Sequence, residues 1–353
     1  MCIPYLRRTR LTQVGKGMTY EQEREQLLRR IQGCGDADFA ELALAVFRFQ
    51  LRHNELYARY CSLLKVAADK VGSLEEIPYL PIQLFRQHRI RTGEWKPVLT
   101  FSSSGTTGGR TSYHDVRDPE SYRRNARRGF RQFYGDPAEY LVLALLPSYL
   151  ERSGSSLVHM AADFIACSRY PESGFFLENT AALRTLLESA AVSDGPGRPR
   201  VLLLGVSFAL LDLAEQGPLP LADRVLVMET GGMKGRRREM IREELHGRLQ
   251  EAFGVPAIHS EYGMTELFSQ AYSKGAGRFL PSALLRVSTR ELTDPLSPQQ
   301  PGKTGAVNVI DLANLDTCSF LATEDLGKVW EDGGFEILGR VDNSDIRGCN
   351  LMV

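Results

Sequence analysis

Four short apolar runs constrain this chain more than any other feature: Tyr140–Leu146, Val201–Gly205, Val225–Met228 and Ala257–His259. Each ends in loop signals. Around and between them lie stretches with helical spacing, Ser121–Phe133, Ser155–Cys167, Ala181–Ala191, Phe208–Ala214 and Arg237–Phe253. A strand that is apolar on both sides has to be buried on both faces, and neighbouring parallel strands need a crossover, usually a helix. The pattern predicts an α/β fold with a largely parallel sheet covered on both sides.

The ends of the chain read differently. From Tyr20 to about Val71 apolar residues recur at helical spacing, with Asp36 and Asp38 placed to cap the second helix. Ile77-Pro-Tyr-Leu-Pro-Ile82 predicts an extended connector. After about Gly277 the helical period stops. Ala306–Ile310 alternates, and Lys328–Trp330 with Phe335–Leu338 flank Asp332-Gly333-Gly334, a hairpin signature. The expected organisation is a helical N-terminal region over 1–95, an α/β core over 96–276 and a small β-rich lobe over 277–353.

Composition excludes some partners. Lys plus Arg equals Asp plus Glu at 43 each, so no net field favours nucleic acid or anionic lipid. The six cysteines and six histidines are dispersed, without Cys-x-x-Cys or zinc-ligand spacing. No apolar run is long enough to cross a bilayer and no secretory leader is visible, so the expected location is the cytoplasm.

Four segments can carry chemistry. In Thr100–Thr111, the run Ser102-Ser103-Ser104-Gly105-Thr106-Thr107-Gly108 combines hydroxyls with glycines whose amides can approach an anion, which suits phosphate. It lacks the Gly-Lys-Ser/Thr of a Walker loop, and a plain turn is the alternative. Ser260–Leu267 follows a predicted strand, where open α/β sheets bind ligands. There Glu266 can hold Mg²⁺, Thr265 can donate to phosphate and Tyr262 can stack on a base; a tight turn is the alternative. Glu229–Gly235 also follows a strand, and Gly231 and Gly232 leave room for a flat ring beside Lys234. Finally, Asp325 can accept from both ribose hydroxyls and Arg340 can hold phosphate, unless the two form a structural ion pair.

Taken in this order, Ser-Ser-Gly-Thr-Thr-Gly, Tyr262-Gly263-Met-Thr-Glu, Thr-Glu-Asp-Leu-Gly and Gly-Arg-x-Asp resemble the adenylate-forming superfamily of acyl-CoA synthetases, peptide-synthetase adenylation domains and luciferases. Leu146–Glu151, Leu204–Leu210, Glu229–Gly235 and Asp345–Met352 look most like the acyl-protein synthetases of bacterial bioluminescence, with a phenylacetate–CoA ligase as neighbour. The resemblance implies a large lobe of two α/β subdomains and a distorted β-barrel. It implies ATP and Mg²⁺, a carboxylic acid substrate, expected to be fatty, and an acyl-accepting protein such as a reductase or carrier.

Relatives with a mobile C-terminal domain carry a catalytic lysine there. This chain ends eleven residues after Asp342, so the expectation is that this lysine is absent and that Lys234 or Arg340 supplies the charge. The resemblance also makes Cys349 the candidate acyl acceptor, with a buried structural cysteine as the alternative. Arg123, Arg127 and Arg131, with Arg124 and Arg128 beside them, are either a docking face or a solvated one. Two rival functions stand beside the ligase: a CoA ligase completed in trans, and a non-catalytic nucleotide-binding protein. A hydrolase is disfavoured because Gly205-Val-Ser-Phe-Ala209 lacks the second glycine of a nucleophile elbow.

Overall fold

The computed structural model describes residues 18–103, 111–147, 154–192, 199–221, 224–231 and 240–341. Three helices come first: α1 (Tyr20–Gly33), α2 (Phe39–His53) and α3 (Glu55–Leu63). Thr19 and Gln22 close a capping box on α1, each side chain accepting the other's backbone N–H. Asp38 does not cap α2 as its position suggests. Residues Asp36–Asp38 form a 3₁₀ turn running straight into the helix, and Asp36 pairs with Arg286 at 2.5 Å instead.

Next come β1 (Leu80–Pro81) and a hairpin of β2 (Leu99–Ser102) and β3 (Tyr113–Val116). The central body contains α4 (Pro119–Tyr134), β4 (Tyr140–Leu145), α5 (Ser156–Cys167), β5 (Gly174–Phe175), α6 (Thr180–Val192), β6 (Arg200–Val206), α7 (Ser207–Ala214), β7 (Val225–Thr230), α8 (Arg242–Phe253) and β8 (His259–Tyr262). The last strands are β9 (Ala271–Ser273), β10 (Leu280–Pro281), β11 (Leu285–Arg290), β12 (Thr304–Asp311), β13 (Phe320–Val329) and β14 (Phe335–Arg340).

The expected parallel sheet is present. Its strand order is β10-β9-β8-β7-β6-β4-β5; every pairing from β5 to β8 is parallel, and β9 and β10 add an antiparallel edge. All six residues of β4 are buried, and side chains from α4 to α8 close one core around the strands. Burial on both faces explains why these strands read as unbroken apolar runs.

The second sheet corrects an expectation. Among the described residues the β-rich part is an open five-stranded sheet, β1-β13-β12-β11 with β14 beside β13, and not a closed barrel. Helices α1–α3 supply the reason. Their apolar faces share one core with β11–β13, as Val46, Phe47 and Tyr57 do with Val309, Phe320 and Leu321. Phe47 packs edge-on to Phe320 at 6.1 Å. Helices cover the face that barrel closure would otherwise bury, and Pro81, lacking an N–H, suits the sheet's edge. The two sheets meet where Tyr262, at the end of β8, joins the second core.

Candidate active site

The hairpin delivers the flanks of the Ser/Gly/Thr segment to a fixed place. Its register pairs Ser102 with Tyr113, and Ser103 N–H donates to Ser112 O at 3.1 Å while Ser112 N–H donates to Ser103 Oγ at 2.9 Å. Ser102 N–H also donates to Gly154 O at 2.7 Å. Ser103 and Ser112, on either side of that segment, are therefore held side by side. Ser104, Gly105, Thr106, Thr107 and Gly108 lie outside the described residues, as do Gly232, Lys234 and Cys349.

At that point the chain meets Glu266. The carboxyl is buried, with the Ser112 side chain beside it. Burial pushes its pKa up, opposed by Ser112, a backbone hydrogen bond and the positive charges of Arg86 and Arg340. The segment around it is held by its backbone. Thr265 O accepts from His114 Nδ1 at 2.9 Å, and Glu266 O accepts from Asn314 Nδ2 at 2.8 Å. Asp311 accepts from Phe268 N–H at 2.7 Å, Ser269 N–H at 2.9 Å and Ser269 Oγ at 2.6 Å.

His114 has a defined tautomer. A carbonyl only accepts, so Nδ1 carries the proton and Nε2 accepts from the Thr317 hydroxyl at 2.9 Å. Burial pulls the ring's pKa down to about 4, so it is neutral at pH 7. Phe85 and Phe268 pack against it.

The fourth segment closes on the same place. Asp325 stands opposite Arg340 across the β13–β14 ladder, with Arg340 Nε 3.7 Å from Asp325 Oδ1. Tyr262 Oη donates to Asp325 Oδ2 at 2.9 Å. Burial raises the Asp325 pKa, while Tyr262 and Arg340 oppose the rise. Arg340 is exposed and acts on both Asp325 and Glu266, so both carboxyls and the tyrosine share one cation.

Beneath this group, the C-terminal ends of β7 and β8 hold a buried acidic pair. Thr230 Oγ1 donates to Glu261, whose pKa burial and the neighbouring Glu229 push up to about 7. Glu229 accepts from Ser207 Oγ at 3.1 Å and lies 3.5 Å from His246 Nε2 and 3.7 Å from Arg242 Nε. Gly263 sits against this pair, because a Cβ there would lie 2.5 Å from Glu261 Oε1.

No family profile matches the chain. It is 23% identical over 356 residues to the long-chain-fatty-acid–luciferin-component ligase of Vibrio harveyi, covering 94% of this chain and 88% of that one. A 69-residue match to the Photorhabdus luminescens ligase of the same name is 33% identical and covers 19% of this chain and 59% of that protein. Among solved structures, 2-hydroxyisobutyryl-CoA ligase with its acyl-AMP superposes with a TM-score of 0.64 at 14% identity, covering 89% of this chain and 70% of that one. The chain has the adenylate-forming fold. Against an ATP-bound RpMatB–BxBclM chimera of that fold the TM-score is 0.50 at 18% identity, over 68% of this chain and 47% of the chimera, so the chain spans about half of that protein.

Within this adenylate-forming fold Tyr262, Asp325 and Arg340 meet one another, Ser102 and Ser103 lie at the hairpin whose His114 holds the Thr265 backbone, and Gly231 and Gly263 follow the ends of β7 and β8. Gly231 adopts φ +73°, a left-handed turn that favours glycine. The α4 arginines are engaged within the chain: Arg123 and Arg127 with Glu120 and Asp163, Arg124 with Asp118, Arg131 with Asp136, and Arg128 with carbonyls ending α1. Ser207 gives its hydroxyl to Glu229 and not to an imidazole, which removes it as a hydrolase nucleophile.

Sequence reasoning missed Ser112, His114 and Asp311. None belongs to a spacing pattern, and each contacts the Thr265–Ser269 segment from more than 40 residues away. The one legible hint was Ser112, directly after the hydroxyl-rich run.

Proposed function

We propose that the protein activates a carboxylic acid, a fatty acid in our reading, with ATP to form acyl-AMP and pyrophosphate, and then passes the acyl group to a protein thiol. The observation that carries this reading is the 2.9 Å hydrogen bond from His114 Nδ1 to Thr265 O, which ties β3, the strand after the Ser/Gly/Thr segment, to the Thr-Glu motif. A phosphate-binding loop and a cation-binding carboxylate must adjoin if they serve one triphosphate.

The donor set fits Mg²⁺. Glu266 offers a hard oxygen ligand beside a hydroxyl, and among the described residues no group of three or more His, Cys, Asp or Glu forms a protein cage. That suits an ion that keeps waters and binds chiefly to phosphate. When bound it would neutralise charge on the departing pyrophosphate. The chain's own residues place and screen the reactants: Arg340 stabilises charge developing on phosphate oxygens, Asp325 and Tyr262 hold the ribose side, and His114 fixes the Thr265–Glu266 backbone.

In the first step a substrate carboxylate oxygen bonds to the α-phosphorus and the bond to pyrophosphate breaks. In the second, a thiolate attacks the acyl carbon and AMP leaves with the electron pair of the broken anhydride bond. In our reading Cys349, then a partner protein, accepts the acyl group in the cytoplasm.

The test is ATP–pyrophosphate exchange against a panel of fatty and aryl acids, with intact-mass analysis of the protein. Acid-dependent exchange with a mass increase at Cys349 supports both steps. Exchange without that adduct, and acyl-CoA on adding CoA, favours a CoA ligase. No exchange with any acid leaves a nucleotide-binding protein.

A further inference from the structure

A cavity lies at the other end of the strands of the seven-stranded sheet. The candidate active site lies at the C-terminal ends of β6–β8, whereas this cavity opens at their N-terminal ends, where Arg200, Val225 and His259 begin the strands. It encloses about 280 Å³, and its wall carries Arg200, Arg224, Lys274 and His259 but no carboxylate.

Tyr134 gathers these groups. Arg200 donates to its carbonyl at 2.9 Å, Lys274 Nζ lies 5.7 Å from its ring centroid, and its hydroxyl meets His259 Nδ1 at 3.2 Å. Arg200 also lies over the Tyr140 ring at 4.5 Å. Carbonyls and ring faces orient a cation without neutralising it, and among the described residues neither Arg200 nor Lys274 meets a carboxylate. Other arginines are neutralised by a carboxylate, as Arg24 is by Asp316 and Arg127 by Asp163. Burial and Lys274 hold the His259 pKa down at about 4, so the ring is neutral at pH 7 and senses the local charge. Phe133 and Pro256 make another part of the wall apolar.

We infer that this cavity binds a small organic phosphate, its head on Arg200 and Lys274 and its apolar body against Phe133 and Pro256. A guanidinium fork and an ammonium suit a phosphate dianion, and separating charged and apolar walls selects a phosphate with a body over the bare ion.

Phenyl phosphate is the probe, titrated calorimetrically into the full chain, with inorganic phosphate and benzoate as comparison arms. Phenyl phosphate is expected to bind about tenfold more tightly than either, since each lacks one of the two contacts. The double variant Arg200→Gln/Lys274→Gln should weaken it at least about tenfold. Both side chains are exposed, so its unfolding midpoint and any ATP–pyrophosphate exchange should be unchanged. In the parent protein, saturation should raise the His259 pKa followed by NMR, and the double variant should lose that response. Failure of phenyl phosphate to bind, unchanged affinity in the variant, an unmoved His259 titration, or displacement of the probe by ATP would each overturn the inference. Binding is read without turnover, so it stands or falls separately from the ligase reading.

Discussion

His114 on β3 donates its Nδ1 proton to the carbonyl of Thr265 at 2.9 Å, and its Nε2 accepts from the Thr317 hydroxyl at 2.9 Å. One side chain of β3 thus ties the hairpin to the Thr265 backbone and to Thr317. The hairpin that carries the Ser/Gly/Thr segment and the Thr-Glu motif therefore cannot move independently.

Replacing Glu266 by Gln should leave the fold intact, because the amide has nearly the carboxyl's size, yet lower ATP–pyrophosphate exchange by about 10²–10³-fold. Unchanged exchange at saturating Mg²⁺ would remove Glu266 from the reaction. Ser112→Ala should give a smaller loss, since it removes only a hydroxyl that favours the ionised carboxyl.

His114→Ala leaves the Thr265 carbonyl and Thr317 hydroxyl without that partner in a buried site. Denaturant titration should show a loss of about 1–3 kcal/mol, and the KM for ATP should rise in parallel. A stability loss without any change in KM would make His114 a structural residue alone.

Asp325→Asn keeps the shape beside Tyr262 but removes the charge that faces Arg340. The KM for ATP should rise about tenfold with a smaller change in kcat, as expected for lost ground-state binding. A fall in kcat at constant KM would place Asp325 elsewhere in the mechanism.

Glu261 sets a pH dependence. Its folded pKa, about 7, lies above the unfolded value of 4.5, so the native state holds the proton more tightly. Its favourable contribution is full below about pH 4.5 and is lost as pH rises through 7. Glu261→Gln should flatten this part of the melting-temperature profile between pH 5 and 8; an unaltered slope would show that Glu261 does not titrate there.

The buried His114 acts in the opposite direction. Its folded pKa, about 4, lies below 6.5, so stability falls as pH drops from 6.5 toward 4 and the unfolded chain takes up the proton. His114→Gln should lessen that acid-side loss, read from the same melting profiles.

The sequence by itself determined the parallel core, because a strand buried on both faces is apolar along its length, as β4 is throughout and Val201–Leu204 of β6 and Val225–Met228 of β7 are. It also singled out the Thr-Glu motif, Asp325 and Arg340 as candidates, because a local run of residue types is enough to suggest a role. Only the tertiary structure decided that helices α1–α3 bury the second sheet in place of barrel closure, and that Ser112, His114 and Asp311 hold the motif. Those contacts join residues distant in the chain, and the register of a hairpin or the face of a helix chooses them; no local period records such a choice.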